Sequence, residues 1–134
     1  MKIDGGCHCG FITYEADIDP QNVAICHCTD CQTLSGSAFR TVVRANADAF
    51  RITGGKPKVY LKTAESGNKR QQTFCPECGT PIYSAAQFDT PTFSIRLGTC
   101  RQRAQLAPQA QIWSRSALGW LSGLGELRKI EKQP

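Results

Sequence analysis

Seven of the eight cysteines in this 134-residue chain fall into three tight groups: Cys7-His8-Cys9, Cys26-His27-Cys28-Thr29-Asp30-Cys31 and Cys75-Pro76-Glu77-Cys78. Sulfurs two or three residues apart pair poorly with one another as disulfides. They suit thiolates converging on one small cation, and Zn²⁺ is the usual ion of sulfur-rich sites. The two pairs complete one closed tetrahedral shell from Cys7, Cys9, Cys75 and Cys78, a structural role that ties the start of the chain to residue 75 and closes a long loop.

Cys26, Cys28 and Cys31 remain as a triple. Three thiolates on Zn²⁺ leave one coordination position, and an open position is where a water or a substrate binds. The competing arrangement is a second closed structural site, with Cys100, His27 or His8 as its fourth ligand. Cys100 is the one unclustered sulfur, and a lone cysteine after a strand is more often a small core residue. His27 lies between two ligands and projects away from them in extended chain, which suits a hydrogen-bonded supporting role. Asp30 reads as helix N-terminal charge. No Ser-His-Asp set, spaced carboxylate pair or phosphate loop is present.

These groups need elements to hold them. Thr29-Asp30-Cys31-Gln32 fits the capping-box pattern, with Gly36 placed to end a short helix. Thr29 is then the expected N-cap, and Cys31 is the thiolate prepared by the helix N-terminus. In extended chain Cys7 and Cys9 point to one face. Strands are expected at Phe11–Ala16, Ala38–Ala45, Lys58–Lys62, Arg70–Phe74, Ile82–Ala85 and Thr92–Leu97, with turns at Gly54-Gly55 and Ser66-Gly67-Asn68. No long helical period occurs in the first hundred residues. Gly119 to Pro134 mixes glycine with charge and reads as an extended or frayed end.

Length predicts one domain, residues 1–134, with a modest core that bound metal helps to stabilise. No run approaches the ~18 apolar residues of a membrane span. The start has no apolar signal segment, so a reducing cytoplasm is expected for these thiols. The formal charge is +5. Two Zn²⁺ ions on seven thiolates bring it to about +2. Residues 40–70 concentrate the basic side chains, Arg40, Arg44, Arg51, Lys56, Lys58, Lys62, Lys69 and Arg70. The simple account of these is a solvated sheet face; the sharper one is a basic rim for a small acidic ligand. Without interleaved aromatics, neither nucleic acid nor a membrane is an expected partner.

Gly6-Cys7-His8-Cys9-Gly10 with Tyr14, Cys26-His27-Cys28-Thr29-Asp30-Cys31 with Ser35-Gly36, Ser66-Gly67 with Arg70, and Phe74-Cys75-Pro76-Glu77-Cys78-Gly79-Thr80-Pro81-Ile82-Tyr83 together resemble the glutathione-dependent formaldehyde-activating enzyme family, whose domain is shared with centromere protein V. Pro108, Ile112-Trp113 and Trp120 resemble its C-terminal block. The resemblance implies a mainly-β, Mss4-like (β-tent) fold of several small coiled antiparallel sheets, with a short helix after the CxCxxC motif. It implies two zinc ions per chain: a structural one on Cys7, Cys9, Cys75 and Cys78, and one linked to activity on Cys26, Cys28 and Cys31. The activity implied is that of a carbon–sulfur lyase handling S-hydroxymethylglutathione, with a small thiol such as glutathione as partner. The alternative is a non-catalytic zinc-stabilised binding module with two structural zincs.

Overall fold

Alternation along Arg40-Thr41-Val42-Val43-Arg44-Ala45-Asn46 sends Val43 and Ala45 into a fully buried layer and leaves Arg40, Val42 and Arg44 on the opposite side, as the two-residue period of a strand dictates. This strand lies inside the larger of two sheets. In the computed structural model, which describes residues 1–133, the strands are β1 (Lys2–Gly6), β2 (Thr13–Asp17), β3 (Val23–Cys26), β4 (Arg40–Asn46), β5 (Phe50–Gly54), β6 (Lys58–Thr63), β7 (Lys69–Phe74), β8 (Pro81–Ala86), β9 (Thr92–Arg96) and β10 (Ala110–Ile112). The single α-helix among the described residues, α1 (Thr29–Ser35), follows β3.

β1, β2 and β5 form a three-stranded antiparallel sheet. The other strands form a seven-stranded sheet in the order β10-β3-β4-β9-β8-β7-β6, antiparallel except for the β10–β3 pair. The chain is thus mainly β with a short helix after the second cysteine group, as expected. The core lies between the sheets, where Ile12, Tyr14, Val23, Val43, Ile82, Ile95 and Leu106 are buried. Phe50, Tyr83 and Phe93 pack against one another with ring centroids 4.7–5.1 Å apart.

The large sheet is strongly curled. β3 and β6 are five interstrand spacings apart, about 24 Å in a flat sheet. Yet Lys62 of β6 reaches Asp30, at the start of the helix that follows β3, with Nζ 2.6 Å from the carboxylate. Beyond β10, at the opposite edge, Arg115 comes within 3.7 Å of Glu65 in the β6–β7 turn. The edges therefore approach one another around the face that carries Arg40 and Lys62. The resulting trough holds the site described below.

Six expected strands are present with boundaries shifted by a few residues. Four strands, β1, β3, β5 and β10, were not expected. The C-terminal stretch also differs from the expected frayed end: Gly119–Glu126 forms 3₁₀ turns, whose Leu121 and Leu124 flank the β10 side of the sheet. Residue 134 lies outside the described residues.

One contact couples the sheets by close approach alone. A Cβ on Gly5 would overlap the Thr99 carbonyl and the Tyr14 ring. Tyr14 is fully buried and shares a 2.9 Å hydrogen bond with the Thr99 hydroxyl. Neither backbone nor ring can retreat, so Gly5→Ala is expected to cost about 3 kcal/mol, as overpacking does. Urea denaturation checks this value through an unchanged slope and a lowered midpoint.

Candidate metal centres

Two cysteine groups assemble. Sγ atoms of Cys7, Cys9, Cys75 and Cys78 all lie within 4.8 Å of one another, and so do those of Cys26, Cys28 and Cys31. Ligands of a tetrahedral ion with Zn–S near 2.3 Å are about 3.8 Å apart. Cys7 Sγ is 3.6 Å from Cys9 Sγ, which is 3.8 Å from Cys75 Sγ. The sulfurs are thus spaced for a shared ion of zinc's size.

Local backbone prepares the four-sulfur site. Cys7–Gly10 is a turn rather than the extended segment expected from its spacing. The Gly10 N–H donates to Cys7 O at 3.2 Å, and Gly10 adopts φ +85°, which glycine reaches without a Cβ clash. This turn aims the Ile12 N–H at Cys7 Sγ, 3.1 Å away. The second turn repeats the device: Gly79 N–H donates to Cys75 O, and Glu77 N–H to Cys75 Sγ at 3.4 Å. His8 N–H on the Thr80 hydroxyl, 3.1 Å, joins the two turns. Such N–H donors favour thiolate over thiol. Burial works to raise Cys7, but the Ile12 N–H and the sulfurs of Cys9 and Cys75 outweigh it and bring the group down. The Thr80 hydroxyl and N–H hold Cys78 down at about 5.

The triple sits where β3 ends and α1 begins. Here the structure corrects the expected cap. Cys28, not Thr29, is the N-cap, and its sulfur accepts the Cys31 N–H at 3.2 Å. Thr29 is the first helical residue, so Cys31 occupies the third position rather than the second. Gln32 does not return to close a capping box; its amide donates to the carbonyls of His27 (2.9 Å) and Ser116 (3.1 Å). Gly36 ends the helix in the left-handed conformation, as predicted. A hydrogen bond from Cys31 brings Cys26 down to about 5, while that same proton is held on Cys31, whose pKa goes up.

None of the three proposed fourth ligands joins the triple among the described residues. Cys100 is fully buried in the core, where burial raises its thiol pKa, and its sulfur faces the Gln102 side-chain oxygen at 3.4 Å. His8 is exposed. His27 is buried, its Nε2 2.7 Å from Gln111 Oε1 on β10 and its N–H donating to Ile112 O. Trp113, with a left-handed φ of +54°, then turns the chain towards Ser116. The C-terminal block thus clamps the CxCxxC loop through His27 and Gln32.

The basic segment divides in a way its sequence did not disclose. Arg51 pairs with Glu15 at the surface and Lys62 with Asp30. Arg40 is instead buried (6% exposed), directly opposite Cys26 in the β3–β4 register. Burial lowers its pKa while the nearby sulfurs of Cys31, Cys28 and Cys26 pull it back up. Arg96, which sequence reasoning missed, is buried beside it on β9, paired with Val42 of β4. The one available signal was its place at the end of the alternating Thr92–Arg96 strand.

Residues 2–116 match the family described as "Glutathione-dependent formaldehyde-activating enzyme". The fold resembles the crystal structure of a Rhodobacter sphaeroides protein, a structural-genomics target, with a TM-score of 0.62 at 16% identity. The match covers 81% of this chain and 98% of that one. At that identity the likeness concerns the fold.

Proposed function

The chain belongs to the glutathione-dependent formaldehyde-activating enzyme family, and from that premise we propose that it is a zinc-dependent enzyme of the carbon–sulfur lyase type, acting on a small thiol and a carbonyl such as glutathione and formaldehyde. The supporting observation is the uneven division of sulfurs: four in one group and three in the other, the three without a further protein ligand among the described residues. Cys7, Cys9, Cys75 and Cys78 would hold a structural ion, and Cys26, Cys28 and Cys31 the ion linked to activity.

A zinc ion held by these three thiolates would leave a site charge of −1 and, when bound, would offer a position to a substrate thiolate rather than act as a strong Lewis acid on a carbonyl. The chain's own residues do the rest. Cys28 Sγ caps α1 and fixes the position of Cys31. His27 and Gln32 anchor the loop to the C-terminal block. Arg40 supplies a cation beside the thiolates and lowers the cost of gathering a further anionic sulfur there. In the reaction the thiol S–H bond breaks and an S–C bond forms to the carbonyl carbon, while the carbonyl oxygen takes up a proton. The reverse direction releases thiol and aldehyde.

Exchange NMR on glutathione–formaldehyde mixtures tests the proposal. The zinc-loaded protein is expected to raise the exchange rate at least tenfold over an equal concentration of Cys31→Ser. Equal rates, with both proteins folded, would dismiss the formaldehyde reaction for this chain.

A further inference from the structure

β6 is the last strand of the large sheet and has a neighbour, β7, on one side only. The phase of its hydrogen bonds follows from the hairpin that joins the two. Ala64 N–H donates to Asn68 O at 2.8 Å, and Ala64 stands opposite Asn68 when the Thr63–Lys69 register is continued. Hydrogen-bonded pairs in an antiparallel ladder recur at every second residue. Lys58, Tyr60 and Lys62 therefore direct their backbone groups to β7, and Val59, Leu61 and Thr63 turn theirs to the open side. The far side of β7 agrees. There Gln87 N–H donates to Lys69 O, so β8 takes the odd-numbered residues of β7 and leaves the even ones to β6.

Natural sheets protect such an edge with a bulge, a proline, a very short strand or a cover. β6 has none of these. Its register with β7 is unbroken over six residues and it contains no proline. Val59, Tyr60 and Leu61 are 46%, 54% and 44% exposed. The protection it does have is charge. Residues 54–64 hold Lys56, Lys58 and Lys62 and no carboxylate. Lys62 is taken by Asp30, whereas no carboxylate pairs with Lys56 or Lys58 among the described residues. Two copies joined edge to edge would lay these lysines alongside one another, which like-charge repulsion disfavours. The edge is thus closed to its own kind and open to an acidic strand.

We propose that the outer edge of β6 is an interaction surface that takes an extended acidic segment of a partner protein as an added antiparallel strand. Side-chain alternation specifies the segment. Val59 and Leu61 stand on one face of β6, and Lys58, Tyr60 and Lys62 on the other. A segment alternating apolar and acidic residues sets its apolar side chains beside Val59 and Leu61 and its carboxylates beside Lys58, with Lys56 just before the strand. Its apolar residues also exchange the backbone hydrogen bonds, because residues directly opposite across an antiparallel pair share a face. The backbone bonds hold the segment and the lysines select it.

Fluorescence anisotropy of the zinc-loaded chain with a labelled peptide of alternating valine and glutamate tests this. The peptide is expected to bind at least tenfold more tightly than its valine–lysine counterpart. N-methylation at its valines, which removes only the N–H groups aimed at β6, is expected to weaken it at least tenfold. Lys56→Glu combined with Lys58→Glu is expected to weaken the unmethylated peptide by a similar factor. Leu61→Pro should do the same with the fold intact, since the Leu61 N–H makes no bond to β7 and proline is tolerated on an open edge. Should Leu61→Pro fail to fold, the methylated peptide carries the same comparison on the unaltered chain. Equal binding of methylated and unmethylated peptides would mean charge attraction alone and would overturn strand addition. Absence of binding by the acidic peptide overturns the proposal outright. So does a dimer in light scattering that Leu61→Pro returns to monomer, because a second copy then holds the edge.

Discussion

Cys75→Ser is expected to abolish cooperative unfolding near ambient temperature or to lower the melting temperature by on the order of 20 °C. Cys75 is completely buried, and its turn meets the Cys7–Gly10 turn although Cys9 and Cys75 stand 66 positions apart in sequence. Structural zinc sites contribute an apparent binding free energy of about 10–16 kcal/mol, comparable with the whole stability of a domain of this size. Removing one of four ligands forfeits much of that. It also releases the loop between the two turns and leaves the Ile12 and Glu77 N–H donors without the thiolate cluster they serve. A loss of about 5 kcal/mol converts to a shift of that size through the unfolding entropy of a chain this long. Circular dichroism melts, with zinc content measured alongside, check the outcome. A melt within 5 °C of wild type would remove the structural role from this group.

Mild chelation is expected to act on the other group first. The triple offers three sulfurs at the trough, whereas the four-sulfur site is held by two N–H-lined turns. A competing ligand can enter an incomplete shell without first displacing a cysteine. One zinc equivalent should therefore leave at least tenfold faster than the second. Thiol–aldehyde exchange should fall with the first equivalent, while the far-ultraviolet spectrum changes only with the second. Simultaneous loss of both ions would instead describe two closed structural sites. That is the behaviour expected of a binding module without turnover.

What the sequence disclosed and what it hid follow from the range of the interactions involved. Cysteine grouping is local chemistry at fixed spacing, so both clusters were legible, as was the glycine that ends α1. The cap was misassigned because propensity favours a threonine hydroxyl at that position, whereas Cys28 stands one residue earlier and offers its sulfur to the Cys31 N–H. β1 was hidden by its Gly5-Gly6 end, a weak strand composition. Close packing against Tyr14 explains the glycine at position 5. β10 is three exposed residues held by a parallel pairing with β3, a non-local contact that no window of sequence contains. The arginine face was hidden for the same reason. Arg40, Arg70 and Arg96 come from three strands, and only the β4-β9-β8-β7 order and the curl of the sheet bring them to one surface. The simple account of the basic segment as a solvated sheet face therefore fails at Arg40, which is buried, and at Arg70, which is half-buried.

The central claim is that the triple leaves one zinc position for a substrate sulfur. Zinc-edge X-ray absorption of the fully loaded chain, with and without glutathione, measures it directly. Seven protein sulfurs shared by two ions give a mean of about 3.5 sulfurs per zinc in the resting protein. Addition of glutathione is predicted to raise that mean to about 4, whereas S-methylglutathione, which carries no thiol, leaves it at about 3.5. A mean of about 4 before any thiol is added, unchanged afterwards, would mean that the chain closes both sites itself and would contradict the account.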